Sequence, residues 1–121
     1  MTTKKTILIV DDESTIRWIL KMALEVADIN IYEASSGEEG ISMARQIKPD
    51  LVIMDYKMPD INGWQAAARI KEISKDIIII GHTGYASEQN MQEGYRSGCA
   101  EILRKPVDLE EWEKTITKYL L

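Results

Sequence analysis

The sequence predicts an α/β protein, a parallel sheet covered by helices on both faces in a doubly wound sandwich. Three observations carry that expectation. Five apolar runs of strand length alternate with segments of helical period, the signature of βαβ units. The runs are almost continuous in isoleucine, valine and leucine, as strands buried on both faces require. The third observation is how the runs end: Ile7-Leu8-Ile9-Val10 meets Asp11-Asp12, Leu51-Val52-Ile53-Met54 meets Asp55, Ile77 to Ile80 leads to Thr83, and Ile102-Leu103 leads to Lys105-Pro106. In an open parallel sheet, ligands gather beyond the carboxyl ends of the strands. Asp11, Asp12, Asp55, Thr83 and Lys105 are therefore expected to converge.

Each element follows from local pattern. After the first strand, Ser14 as N-cap opens a helix with Ile16, Leu20, Ala23, Leu24 and Ala27 on one face. The second strand is Ile29 to Ala34. Ser36 with Glu39 forms a capping box for a helix running to about residue 47, with Pro49 marking its exit. The third strand, Leu51 to Met54, gives way to the loop Tyr56 to Asn62. Gly63 opens a helix containing Trp64, Ala67, Ile70 and Ile73. The fourth helix starts near Ser87 and stops at Gly98. Asp108 with Glu111 makes another capping box, and Leu109, Trp112, Ile116 and Leu120 form the apolar stripe of the last helix. Trp18, Trp64 and Trp112 are read as helix-face packing, Cys99 as a small core residue, and His82, the one histidine, as the partner in a local hydrogen bond.

At 121 residues and 45% apolar composition, the chain fits a single domain spanning residues 1–121. Twenty acidic against 15 basic residues, net charge −5, leave no basic stripe to neutralise phosphates, so direct nucleic-acid binding is not expected. No apolar stretch approaches the roughly 20 residues of a membrane span, and residues 1–5 have no signal-peptide character. With a single cysteine, these features point to the cytoplasm.

Asp11, Asp12 and Glu13 stack acids where a turn ordinarily has one Asp beside Gly or Asn. Like charges ~4 Å apart repel by on the order of 4 kcal/mol at an effective dielectric near 20, so a carboxylate cluster here needs a cation or displaced pKa values. Carboxylates, a backbone carbonyl and water suit Mg²⁺, with Mn²⁺ an alternative; the His and Cys sets of zinc sites are absent. Such a site can host phosphoryl transfer, with Asp55 as nucleophile and the metal, Thr83 and Lys105 neutralising the phosphoryl charge.

Those residues resemble the response-regulator receiver domain, the family of the bacterial chemotaxis regulator CheY. The likeness spans Lys4 to Leu121 and rests on the acidic pair in Ile9-Val10-Asp11-Asp12-Glu13, the stretch Met54-Asp55-Tyr56-Lys57-Met58-Pro59-Asp60-Ile61-Asn62-Gly63, Thr83 before Gly84, and Lys105-Pro106. It implies a flavodoxin-like sheet in the order 2-1-3-4-5 and a phosphoacceptor role. The donor would be the phosphohistidine of a sensor histidine kinase or histidine phosphotransfer protein. A downstream output domain or target protein would read the face of the fourth helix, fifth strand and fifth helix. By position, Asp12, Asp55 and the Lys57 carbonyl resemble direct metal ligands and Asp11 the acid holding metal-bound water. Asp55 resembles the phosphoacceptor, Thr83 the switch hydroxyl, and Lys105 the lysine that bonds a phosphoryl oxygen, followed by a cis peptide bond to Pro106.

Two features depart from or refine the pattern. Many receivers carry Tyr or Phe three residues before the lysine, where this chain has Ile102, so a switch here must work through Thr83, the following loop and the fourth helix. Lys57 and Tyr85 are bulky at positions that in this family influence the access of water to the acyl phosphate. Two other readings fit less well: a haloacid-dehalogenase-type enzyme, which also uses a nucleophilic Asp after a strand with Mg²⁺, expects a carboxylate two residues later, where Lys57 stands, and a flavodoxin, which would share the fold, expects a phosphate-cradling loop where Asp11-Asp12-Glu13 would repel phosphate.

Overall fold

A computed structural model describes residues 4–24 and 28–120. In chain order the elements are β1 (Lys5–Val10), α1 (Ser14–Leu24), β2 (Ile29–Ala34), α2 (Gly37–Ile47), β3 (Leu51–Asp55), α3 (Gly63–Ile73), β4 (Ile78–Thr83), α4 (Glu88–Arg96), β5 (Glu101–Arg104) and α5 (Leu109–Leu120). All strand pairings are parallel and the sheet order is β2-β1-β3-β4-β5. The chain moves outward from β1 to β2, then crosses back to β3 on the other side of β1. That reversal puts the ends of β1 and β3 side by side at the topological switch point.

The period of two along β1 sorts its side chains between two cores. Ile7 and Ile9 pack with Leu20 and Leu24 of α1 and Trp112 and Ile116 of α5. Leu8 and Val10 pack with Ile41 and Ala44 of α2 and Trp64 and Ile70 of α3. Every apolar residue from Ile7 to Val10 and from Leu51 to Met54 is fully buried, which favours folding by roughly 1.5–3 kcal/mol per side chain before entropy is counted. These central strands are thus fixed on both faces, and Asp11 and Asp55 follow directly from them.

Local departures have local causes. Ser14 lies inside α1, not ahead of it: Arg17 N–H donates to the Glu13 carbonyl, so the helix begins one residue earlier than the N-cap reading placed it. Ser36 does cap α2 by accepting from Glu39 N–H, but the Glu39 carboxylate accepts from Ser35 N–H instead of closing the box on Ser36. Asp108 accepts from Glu111 N–H. The reciprocal capping box belongs instead to Asn62 and Gln65 at the start of α3, and Lys48, at φ 46°, ends α2 in the left-handed conformation without a glycine.

Leu109 is 48% exposed and drops out of the α5 stripe, whereas Trp112, Ile116 and Leu120 are buried in the core. Trp64 and Trp112 pack as expected, but Trp18 is 60% exposed: it lies on the opposite side of α1 from Leu20 and Leu24. Ala27 lies outside the described residues. Cys99 is buried and its thiol is pushed up to about 12 by burial, so it is an inert packing group.

Candidate functional site

The carboxyl end of the sheet holds all five expected polar residues. Asp11 and Asp12 follow β1, Asp55 ends β3, Thr83 ends β4 and Lys105 follows β5. Asp55 is buried, and its Oδ1 lies 2.8 Å from Lys105 Nζ. Asp12, Glu13, Asp55, Lys57 and Lys105 line a cavity of about 330 Å³. Asp11 and Thr83 do not line it; both are fully buried behind it.

Backbone contacts hold this geometry. Gly63 N–H donates to the Tyr56 carbonyl, and a Cβ at Gly63 would overlap the Asp55 carbonyl oxygen, so the start of α3 is seated directly on the end of β3. Asp60, inside the loop after Asp55, accepts from Gly37 N–H (3.0 Å) and Glu38 N–H (2.7 Å), tying that loop to the N-terminus of α2. Arg17 donates from Nη1 to the Asp11 carbonyl at 2.7 Å and from Nε to Glu33 Oε1 at 3.1 Å, clamping the end of β1. Neither Asp60 nor Arg17 was assigned a site role from sequence. Asp60 sits ahead of a helix start, but its partners are 22 and 23 residues away, a distance local reading does not bridge.

Electrostatics set the members apart. Burial pushes the Asp11 carboxyl up to about 7, opposed by the Glu13 N–H bond to Oδ1, with Asp55 raising it and Lys105 lowering it. Asp55 is raised by burial as well, against the lowering effect of its hydrogen bond to Lys105 and that ammonium's charge. Burial works against the Lys105 ammonium, but the bond to Asp55 and the nearby carboxylates outweigh it and hold its pKa above the usual lysine value. The cluster is short of positive charge. Its oxygen donors, and an Asp11 Oδ2 that is buried without a hydrogen-bond partner among the described residues, fit a divalent cation.

His82 departs from expectation. It is 1% exposed, and its Nε2 makes no hydrogen bond among the described residues. That nitrogen lies 3.4 Å from Asp11 Oδ2, close enough for an ion pair were the ring charged, but misaligned for a hydrogen bond. Burial, with the Lys105 charge adding to it, pushes the imidazole down to about 3, so the ring is neutral. Its place in the sheet buries it: β4 is paired on both sides, by β3 and β5, and the ring packs edge-on against Trp112 at 5.3 Å.

On the rim, Lys57 Nζ donates to Tyr85 Oη at 3.0 Å, and both residues line the site cavity as well as a neighbouring groove of about 540 Å³ that reaches α4. Thr83 Oγ1 accepts from Tyr85 N–H at 2.9 Å. Turned so that its amide nitrogen faces the Tyr85 carbonyl at 2.7 Å, Asn90 links this loop to α4. Ile102 is buried against Gly94 of α4 in the same core as Trp64, so the position that carries an aromatic in many receivers is here part of the packing. The Lys105–Pro106 peptide bond is cis.

The model of the response regulator receiver domain matches residues 7–117. Protein PilH of Pseudomonas aeruginosa is 40% identical over 119 residues, covering 94% of this chain and 96% of that protein. The phosphate regulon transcriptional regulatory protein PhoB of the same organism is 37% identical over 109 residues, covering 88% of this chain; the chain spans about half of that longer relative, 48%. The crystal structure of a CheY-like response regulator receiver domain protein from Methanospirillum hungatei superposes with a TM-score of 0.92 at 28% identity, covering 96% of this chain and 93% of that one.

Proposed function

The chain belongs to the response regulator receiver family of two-component signalling, and from that premise we propose that it is a cytoplasmic phosphoacceptor that takes a phosphoryl group from a phosphohistidine onto Asp55. The donor is a sensor histidine kinase or a histidine phosphotransfer protein. The observation that carries the reading is the pairing of a buried strand-end carboxylate with Lys105 at 2.8 Å, open to a cavity shared with Asp12 and Lys57.

An Asp55 carboxylate oxygen attacks phosphorus in line with the departing imidazole nitrogen; the P–N bond breaks as the P–O bond forms, leaving an aspartyl phosphate. Asp12, Asp55 and the Lys57 carbonyl would hold Mg²⁺ or Mn²⁺, with Asp11 on its water, and the bound ion supplies charge neutralisation at the phosphoryl oxygens. Lys105 transfers its hydrogen bond from Asp55 Oδ1 to a phosphoryl oxygen. Among the described residues the Thr83 hydroxyl accepts from Tyr85 N–H and donates to none, which leaves its proton for another phosphoryl oxygen. Drawing Thr83 inward pulls on the Tyr85 loop and, through Asn90, on α4. With Ile102 locked in the core, that loop-to-helix path is the switch, biased by the phosphorylated state's extra contacts. The α4–β5–α5 face then presents the result to an output domain or target protein.

Incubation with a small phosphodonor and Mg²⁺, read by intact mass, tests the acceptor: one phosphate on the parent and none on Asp55→Asn is expected, and phosphate on the variant would sink the assignment. Lys105→Ala tests the switch. Its Mg²⁺ affinity should hold or rise, since a competing cation is gone, while beryllofluoride should displace backbone amides of residues 83–104 less than in the parent. Equal displacement would refute the role given to Lys105.

A further inference from the structure

We propose that His82, Asp11 and Asp55 form a second mode of metal binding at this site, one that takes a borderline transition ion such as Zn²⁺ through the His82 imidazole. The proposal rests on the reading of the carboxylate cluster as a divalent-cation site and adds a nitrogen ligand beneath it. One donor atom from each of the three buried residues lies within 4.8 Å of the others. Two of the atoms converging there, Asp11 Oδ2 and His82 Nε2, are buried and have no hydrogen-bond partner among the described residues.

Buried polar atoms are ordinarily satisfied, and each one left over calls for an explanation. Two facing one another are explained by a shared ion. Their separation of 3.4 Å is about the edge of a tetrahedron whose ligands lie roughly 2.1 Å from a metal. It is too long and too poorly aligned for a good hydrogen bond. Two contacts position these groups: Asp11 Oδ1 accepts from Glu13 N–H at 2.9 Å, and the His82 ring packs edge-on against Trp112 at 5.3 Å. In its Nδ1–H tautomer the imidazole presents a lone pair at Nε2. His82 also borders a cavity of about 420 Å³ lined by Glu13, Lys105 and Trp112, which gives an ion a way in.

Ligand chemistry sets the selectivity. Oxygen-only sites suit Mg²⁺, whereas imidazole favours Zn²⁺ and the later transition ions. Both modes draw on Asp11 and Asp55, so the two ions exclude one another, and an ion bound through His82 ties up the carboxylate that would accept phosphate.

Because His82 is the one histidine in the chain, its ring ¹⁵N resonances report on this site alone. Titrating the parent protein with Zn²⁺ should shift the Nε2 resonance, and Mg²⁺ should not reproduce that shift. His82→Leu should lose Zn²⁺ affinity by at least about tenfold, the lower end of what even ligand-supporting residues cost, with Mg²⁺ affinity within about twofold of the parent. An Nε2 resonance unmoved by saturating Zn²⁺ overturns the proposal, and this reading of the parent stands whether or not the variant folds. If Mg²⁺ and phosphate load normally while Nε2 stays unmoved, this inference fails alone. If Zn²⁺ shifts Nε2 but no phosphate reaches Asp55, the metal mode stands and the phosphoacceptor reading falls.

Discussion

Along β1, Ile7, Leu8, Ile9 and Val10 are fully buried in two apolar cores; one residue further, Asp11 is as deeply buried and carries a carboxylate oxygen without a partner. β3 repeats the contrast between Leu51–Met54 and Asp55. The middle of the sheet gains stability from each residue it encloses, whereas its carboxyl end encloses groups that burial destabilises. The second region exists because the first can carry it: a rigid, two-sided apolar body holds carboxylates in positions they would not keep unaided.

The sharpest way to break that contrast is Asp55→Asn. It should abolish phosphate uptake and, without metal, raise stability, because burial lifts the Asp55 pKa even with Lys105 beside it. Chemical denaturation of both proteins in EDTA reads this; a less stable variant would mean that the Lys105 pairing outweighs the burial of the charge. Next in size is Gly63→Ala. Its Cβ would collide with the Asp55 carbonyl, so a loss of about 1–3 kcal/mol or more is expected. Gly84→Ala, where nothing lies within 4 Å of the added carbon, should stay within about 0.5 kcal/mol of the parent. Equal denaturation midpoints for the two glycine variants would show that the seat of α3 on β3 is not tight.

A separate effect concerns pH. Unfolded, His82 titrates near 6.5 and Asp11 near 3.8; folded, they move to about 3 and about 7. From about pH 4 to 6.5 this pair therefore holds one proton in either state, on the imidazole when unfolded and on the carboxyl when folded, and adds no slope to stability. In His82→Leu the folded Asp11 alone keeps an extra proton between about 3.8 and about 7, so stability falls as pH rises through that window, by up to about 1.4 kcal/mol per pH unit. Denaturation midpoints in EDTA from about pH 4 to 6.5 should fall more steeply for the variant; parallel curves would show that folding does not strip the proton from His82.

The smallest effect belongs to the rim. Lys57→Asn with Tyr85→Ala removes an exposed hydrogen bond and should change stability by no more than about 0.5 kcal/mol. If the pair screens the acyl phosphate from water, decay of the phosphorylated state should quicken, by up to about fivefold for a contact of about 1 kcal/mol. An unchanged rate would reduce the pair to surface decoration.

The sequence by itself determined the five strand–helix pairs, the strand ends where polar residues stand, and the resemblance that supplied the strand order. Apolar period and capping chemistry are local, and Asp55 or Lys105 can be recognised because a charge closing an Ile/Val/Leu run is conspicuous. Tertiary structure decided what depends on neighbours remote in sequence. Trp18 and Leu109 carry apolar side chains at helical positions that stay exposed. Asp60 caps a helix 22 residues earlier in the chain, and Arg17 bridges the carbonyl of Asp11 to Glu33, 16 residues further along. His82 reads as an ordinary polar residue near a strand end, and only the pairing of β4 between β3 and β5, with α5 laid across it, buries its ring beside Asp11. Burial and electrostatic coupling are properties of assembled space, which a one-dimensional pattern does not contain.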